Sequence, residues 1–243
     1  MKYDLVFKSY NEHSILIEWP SRIEEDILED IQIFKQKIQN SANEQILYVN
    51  SAYNSLLVAY RNYISELNTK RAELQALYNS VSNTARFEQR LWKIPVCYDD
   101  TFALDSEDIC NERGISKSDL IALHTNSKYT LYFIGFLPGF MYLGGLDKQL
   151  HIPRRQSPRA RISKGAVGIG DMQTGIYPNV SPGGWNIIGN SPLEFFDVSR
   201  TVPCFAKAGD KLQFVAVDLE EHSRIVEQVT KGIYQIESEV IHD

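Results

Sequence analysis

The chain opens with MKYDLVFKSYNEHSILIEW, in which polar and apolar residues alternate as they do in half-buried strands. It then changes period, and Ile23, Ile27, Ile31, Phe34 and Ile38 fall on one face of a helix, with Pro20 and Ser21 ahead of them as start signals. At an offset of about 41 residues the pattern returns. Ile46 to Tyr48 answers Leu5 to Phe7, Ser55 to Val58 answers Ser14 to Ile17, and Ile64, Leu67, Leu74, Leu77 and Val81 form a second helical stripe. The pattern predicts an α+β N-terminal domain over residues 1–90. It is built of duplicated strand-strand-helix units whose helices cover one face of an antiparallel sheet.

From Trp92 the texture changes, because 11 of the 14 glycines and 6 of the 9 prolines fall between Ile134 and Pro192. So many turn formers rule out long helices and predict short strands with structured loops, a mostly β, barrel-like domain over residues 91–243. Short helices are expected at 106–112, 116–124 and 219–231, and Asp210 to Val217 alternates like a strand that closes the sheet.

Composition narrows the field. With 43% hydrophobic and 23% charged residues the chain has the means to bury a core, which excludes disorder. A net charge of −6 with scattered basic residues gives no footprint for nucleic acid. The opening segment lacks the apolar run of a signal peptide or membrane span, so a cytoplasmic protein with no membrane partner is expected. Cys97, Cys110 and Cys204 are too widely spaced for a disulfide framework or a zinc site, and reduced, mostly buried thiols and no metal are expected.

The chemistry concentrates in the glycine-rich stretch. There Lys148, Arg154, Arg155, Arg159, Arg161 and Lys164 face only Asp147 and Asp171, a local excess of positive charge that suits an anionic ligand. Pro153 and Pro158 stiffen HIPRRQSPRAR, which holds guanidinium forks in place at lower entropic cost. The competing reading has these arginines solvated or paired with acids such as Glu194 and Asp197. In SPGGWNIIG, Gly183 and Gly184 suit either an anion-binding nest beside Trp185 or a tight hairpin. In GFLPGFMYLGGL, Phe136, Phe140 and Tyr142 surround Pro138 and Gly139, a pocket wall or a hydrophobic plug. His124 reads as a helix C-terminal cap sooner than as a general base. Walker, HExxH and GxSxG motifs are absent, as is a lysine flanked by methionines of the kind that carries biotin.

Four motifs in series, GFLPGFMYLGGL, IPRRQSPRARISKGAVGIG, QTGIYP and SPGGWNIIG, resemble the allophanate hydrolase subunit 1 family, also called carboxyltransferase subdomain C and D. The resemblance extends over nearly the whole chain, including EHSILIEW, YNSLLVAY and LWKIPVCYDD. It implies a cyclophilin-like β-barrel after an α+β domain, with the boundary near Arg90 to Lys93. It also implies a role as the B-type subunit of an ATP-dependent 5-oxoprolinase, which opens 5-oxo-L-proline to L-glutamate with ATP and water. Such a subunit would work with C-type and A-type subunits, share ATP with them and be inactive alone. Two other family roles stay open: a KipI-like inhibitor that grips a sensor histidine kinase, and a module of a biotin-dependent urea carboxylase system with biotin held elsewhere. Matched to the motifs, the anion- or substrate-binding candidates are His124, Arg154, Arg159, Gln173, Thr174, Tyr177, Ser181, Gly183 and Gly184. The groove or partner-binding candidates are Phe136, Pro138, Gly139, Phe140, Tyr142 and Trp185. Relatives carry a proline soon after the position of Ser163 and this chain does not, which sets Lys164 apart as a less secure site residue.

Overall fold

The computed structural model describes residues 2–41, 43–81 and 88–241. The chain divides into two compact units, Met1–Phe87 and Glu88–Asp243. The first contains β1 (Val6–Asn11), β2 (Ser14–Glu18), α1 (Glu25–Asn40), β3 (Ile46–Ser51), β4 (Ser55–Tyr60) and α2 (Leu67–Asn79). Its antiparallel sheet runs β1-β2-β4-β3, so the two hairpins meet through β2 and β4. Phe7, Ile15, Ile17, Leu56 and Val58 from the sheet pack with Ile27, Ile31, Phe34 and Ile38 of α1 and with Leu74 and Tyr78 of α2.

Both helices are shorter than their apolar stripes. Pro20 and Arg22 close a turn, Arg22 N donating to Pro20 O at 2.7 Å, so α1 starts after Ile23, which is exposed. Ile64 precedes α2, and Val81, past the extended Ser80, is solvent-facing. One buried carboxylate ties the layers together. Asp30 Oδ2 accepts from Trp19 Nε1 and from the Tyr78 hydroxyl, each at 2.7 Å. Asp30→Ala leaves two buried donors unmatched and is expected to cost this unit about 2–3 kcal/mol. Hydrogen exchange at the Ile27 and Ile31 amides in the full chain reads that loss directly.

The second unit adds β5 (Gln89–Cys97), α3 (Ser106–Arg113), α4 (Lys117–Asn126), β6 (Tyr129–Ile134), β7 (Met141–Gly144), β8 (Arg159–Ile162), β9 (Ala166–Gly170), β10 (Gln173–Ile176), β11 (Ser181–Gly183), β12 (Asn186–Asn190), β13 (Lys211–Val217), α5 (Leu219–Thr230) and β14 (Ser238–Ile241). Because β5 already begins at Gln89, the β unit starts slightly before residue 91. Its strands run β12-β9-β10-β7-β6-β13-β5, and the pairing of Asn190 with Cys97 joins β12 back to β5, closing a seven-stranded barrel. The strand expected to close the sheet, β13, instead lies between β6 and β5 and runs parallel to β5. Ile94, Val96, Tyr129, Leu131, Met141, Leu143, Val167, Ile169, Ile176, Ile188 and Phe214 fill the interior. Gly114, at φ 65°, ends α3, and a capping box between Ser116 and Asp119 starts α4. Outside the barrel, β8 and β11 pair as a ribbon. No described helix is long and apolar enough to cross a membrane.

Candidate functional site

The β6–β7 turn builds an aromatic face on the barrel exterior. Gly135 N donates to Phe140 O at 3.1 Å and Phe140 N to Leu137 O at 3.0 Å, which folds the turn tightly. Gly139 takes φ 87°, and a Cβ there would come within 2.6 Å of Phe196 Cβ, so only glycine fits. Phe136 holds φ 66°, costly for an aromatic residue, while its ring is 63% exposed. Behind it, Phe140 meets Trp185, Tyr177 and Tyr142 at centroid distances of 5.5, 5.0 and 4.8 Å. Tyr142 also stacks on Phe133 at 4.3 Å. The glycines of β9 and β10 make room for this layer: a Cβ on Gly170 would lie 2.7 Å from Trp185 Nε1, and one on Gly175 2.9 Å from Trp185 Cζ3.

Arg154 lies over this layer. Its guanidinium carbon is 5.5 Å from the Trp185 ring and its Nε donates to Asp171 at 3.0 Å. Burial pushes the hydroxyls of Tyr142 and Tyr177 up from their ordinary pKa, and the nearby Arg154 charge pulls both back. For Tyr177 the backbone N–H of Trp185 also opposes the rise. The site therefore sets one cation, half in solvent, over a layer of edge-to-face rings in which Phe140, Tyr177 and Trp185 are buried.

Two of the motif's other three arginines, Arg155 and Arg159, converge on a residue that the sequence reading passes over. Asp105, 1% exposed, accepts from Arg159 Nη1 and Nη2 at 2.8 and 2.7 Å and from Arg155 Nη1 at 2.7 Å. It also accepts the Ile187 backbone N–H at 2.6 Å, and Asp105 N returns a bond to Ile187 O at 2.9 Å. One carboxylate thus holds two guanidinium groups and keeps a net positive charge beside the SPGGW segment, where Arg155 N bonds Gly184 O at 2.8 Å. Arg155 Nε is buried without an acceptor among the described residues. In sequence Asp105 looks like an ordinary N-cap for α3, yet its side chain makes no cap bond. The acids expected for these arginines have other partners: Glu194 pairs with Lys164, and Asp197 with Arg200.

The remaining candidates separate. Gln173 and Gly175 face outward on β10, whereas Thr174 and Ile176 point into the barrel and are fully buried. His124 is neither a helix cap nor a surface base: it is fully buried, stacked on Phe214 at 4.3 Å, and bonded to Tyr98 and Thr174. Burial lowers its pKa to about 3. Gly183 and Gly184 form no nest, because neither has a positive φ; Gly183 is a strand residue opposite Arg159, and its missing side chain admits Tyr177. Ser181 is buried in the ribbon with its hydroxyl turned to the Pro182 carbonyl. Pro138 is exposed beside Phe136. All three cysteines are free, and burial raises the pKa of each thiol, which makes them poor nucleophiles.

Residues 5–206 match the model of the carboxyltransferase domain, subdomain C and D. The chain belongs to that family. A Bacillus subtilis (strain 168) member, named as the B-type subunit of 5-oxoprolinase, is 34% identical over 187 residues, 73% of this chain and 78% of the relative. An Escherichia coli O157:H7 member of the same name is 43% identical over 128 residues, 53% of this chain and 59% of the relative. Among solved structures the fold is similar to TTHA0988, with a TM-score of 0.75 and 29% identity over 84% of this chain. This chain spans 40% of the TTHA0988 chain. The family match takes in the aromatic turn, the arginine segment and the SPGGW ribbon alike.

Proposed function

We propose that the chain is the B-type subunit of an ATP-dependent 5-oxoprolinase, a cytoplasmic complex with C-type and A-type subunits. The observation that carries this reading is Arg154, half in solvent above an aromatic layer of which Tyr142 is partly and Phe136 largely exposed. A five-membered lactam bearing a carboxylate has the matching parts: a ring to pack beside the accessible Tyr142 and Phe136, and an anion for the guanidinium. The shared name of the Bacillus and Escherichia relatives supports the same reading.

The residues present fit a carboxylate better than a nucleotide. Arg155 and Arg159 are committed to Asp105, and Arg154 alone makes no triphosphate cradle. ATP is therefore assigned to a site completed by the partner subunits. There the lactam oxygen would take the γ-phosphoryl group with ADP leaving, and water would then open the activated ring and release phosphate. This chain's part is to bind and orient the substrate.

Co-expression with C-type and A-type subunits and an assay for ATP-dependent release of glutamate from 5-oxoproline tests the reading. The complex should turn over and the single chain should not; turnover by the single chain would refute the division of labour. In the active complex, Arg154→Ala is expected to weaken 5-oxoproline binding by about 1–3 kcal/mol, a rise in KM of about five- to 150-fold. An unchanged KM would remove Arg154 from the site.

A further inference from the structure

The turn between β9 and β10 consists of two residues, Asp171 and Met172, since Gln173 pairs with Gly170 across it. Asp171 takes φ 58° and Met172 does not share that region, and a two-residue turn of this kind favours glycine at its first position. Among the described residues one other non-glycine position has a positive φ, Phe136, and it borders the same aromatic layer. We propose, on the 5-oxoprolinase reading of this site, that Asp171 is a positioning residue: it holds the Arg154 guanidinium so that the two terminal nitrogens stay free for the substrate carboxylate.

The backbone of the turn does not need this carboxylate. Asp171 N donates to Ile152 O at 2.8 Å and Ile152 N to Asp171 O at 3.2 Å, bonds that a glycine would keep. They fasten the turn to the segment that carries Arg154, two residues beyond Ile152. The carboxylate has one partner among the described residues, Arg154 Nε at 3.0 Å. Both side chains are about half exposed, and an exposed pair of this kind contributes little to stability. A side chain kept in a conformation that suits glycine, with little return to the fold, points to function, because backbone strain collects at sites.

What the pair does fix is a direction. Asp171 takes Nε, and the Trp185 ring lies 5.5 Å from the guanidinium carbon, so the group is held on two sides. Gly170, next to Asp171, has no Cβ to push that indole away. Arg154 Nη1 and Nη2 bond nothing among the described residues, which leaves the fork that matches a carboxylate. An arginine on a mobile stem gives up rotamer freedom when it grips a ligand, and Asp171 removes that freedom beforehand. The charge of Asp171 repels the substrate's, but at half-exposed groups solvent and salt screen the repulsion, and the gain from ordering outweighs it.

The test uses the complex with C-type and A-type subunits, with 5-oxoproline varied in the glutamate-release assay. Asp171→Gly should raise KM about three- to tenfold and leave kcat within about twofold, while the urea midpoint of the barrel unit is no lower than in wild type. Asp171→Asn keeps an acceptor oxygen and tolerates the left-handed region, so its KM should stay within about twofold of wild type. Arg154→Ala combined with Asp171→Gly should be no worse than Arg154→Ala alone, because the carboxylate acts only through the arginine. A merely structural role would lower the midpoint instead, and its effect would add to that of the arginine substitution. If Arg154→Ala leaves KM unchanged, the 5-oxoprolinase reading fails and the role of Asp171 falls with it. If Arg154→Ala raises KM while Asp171→Gly lowers it or leaves it unchanged, or if the two effects add, the reading stands and the positioning role is overturned.

Discussion

Asp105→Ala is expected to destabilise the barrel unit by about 3 kcal/mol, near the lower end of what breaking a buried ion pair costs. The lower end applies because the side chains of Arg155 and Arg159 are 33% and 24% exposed and recover some solvation. The substitution removes the acceptor for three guanidinium bonds and for Ile187 N–H, and it leaves two like charges face to face. Asp105→Asn, which keeps the shape and one acceptor oxygen, should cost less than the alanine variant. Urea unfolding followed by hydrogen exchange at barrel amides separates this unit from the N-terminal one, which a single global probe would blend. Equal stability of wild type and Asp105→Ala would show that the arginines do not depend on this carboxylate.

That one residue explains much of what could and could not be read in advance. Local pattern carried the elements: the matching runs Ser14 to Glu18 and Ser55 to Tyr60 are strands, and Ile27, Ile31, Phe34 and Ile38 repeat at helical spacing and are buried on α1. The ends slipped where local rules compete. Ile23 continues the apolar stripe, but the turn at Pro20 delays the helix until Glu25. The order of barrel strands was harder still, since the parallel pairing of β13 with β5 joins residues over a hundred positions apart, as with Lys211 and Leu91. The site followed the same rule. The aromatics of GFLPGFMYLGGL and Trp185 were visible because they are unusual in a loop, and they do pack together. Which acid holds the arginines was not visible: Asp105 is more than fifty residues from Arg159 and reads locally as a helix cap. Inward and outward facing on β10 likewise depends on the closed barrel, which puts Gln173 outside and its neighbour Thr174 inside.

Stability should also fall as pH drops from about 6.5 toward 3, through His124. Its surroundings fix a neutral ring: Thr174 Oγ1 donates to Gly168 O at 3.0 Å, so it accepts from His124 Nε2–H, and Nδ1 accepts the Tyr98 hydroxyl at 2.7 Å. A second ring proton would point at the Tyr98 hydroxyl and displace that bond. Burial accordingly lowers the pKa from 6.5 to about 3. In the unfolded chain the ring binds a proton once pH falls below about 6.5, whereas in the fold it stays neutral until about 3. The stability it contributes is therefore complete above pH 6.5 and is lost across that window, by about 2 kcal/mol at pH 5 and about 4–5 kcal/mol by pH 3. Burial lowers the pKa of His222 as well, which adds to the loss in the same direction. His124→Phe keeps the stack on Phe214 but cannot titrate. It should be less stable than wild type by about 1–3 kcal/mol at pH 7.5, because Tyr98 and Thr174 lose a partner, and its stability should decline less steeply in acid. Denaturant midpoints for both proteins at half-unit steps from pH 7.5 to 4 would then draw together as pH falls; curves that stay parallel would mean that His124 accepts its proton as readily in the fold as out of it.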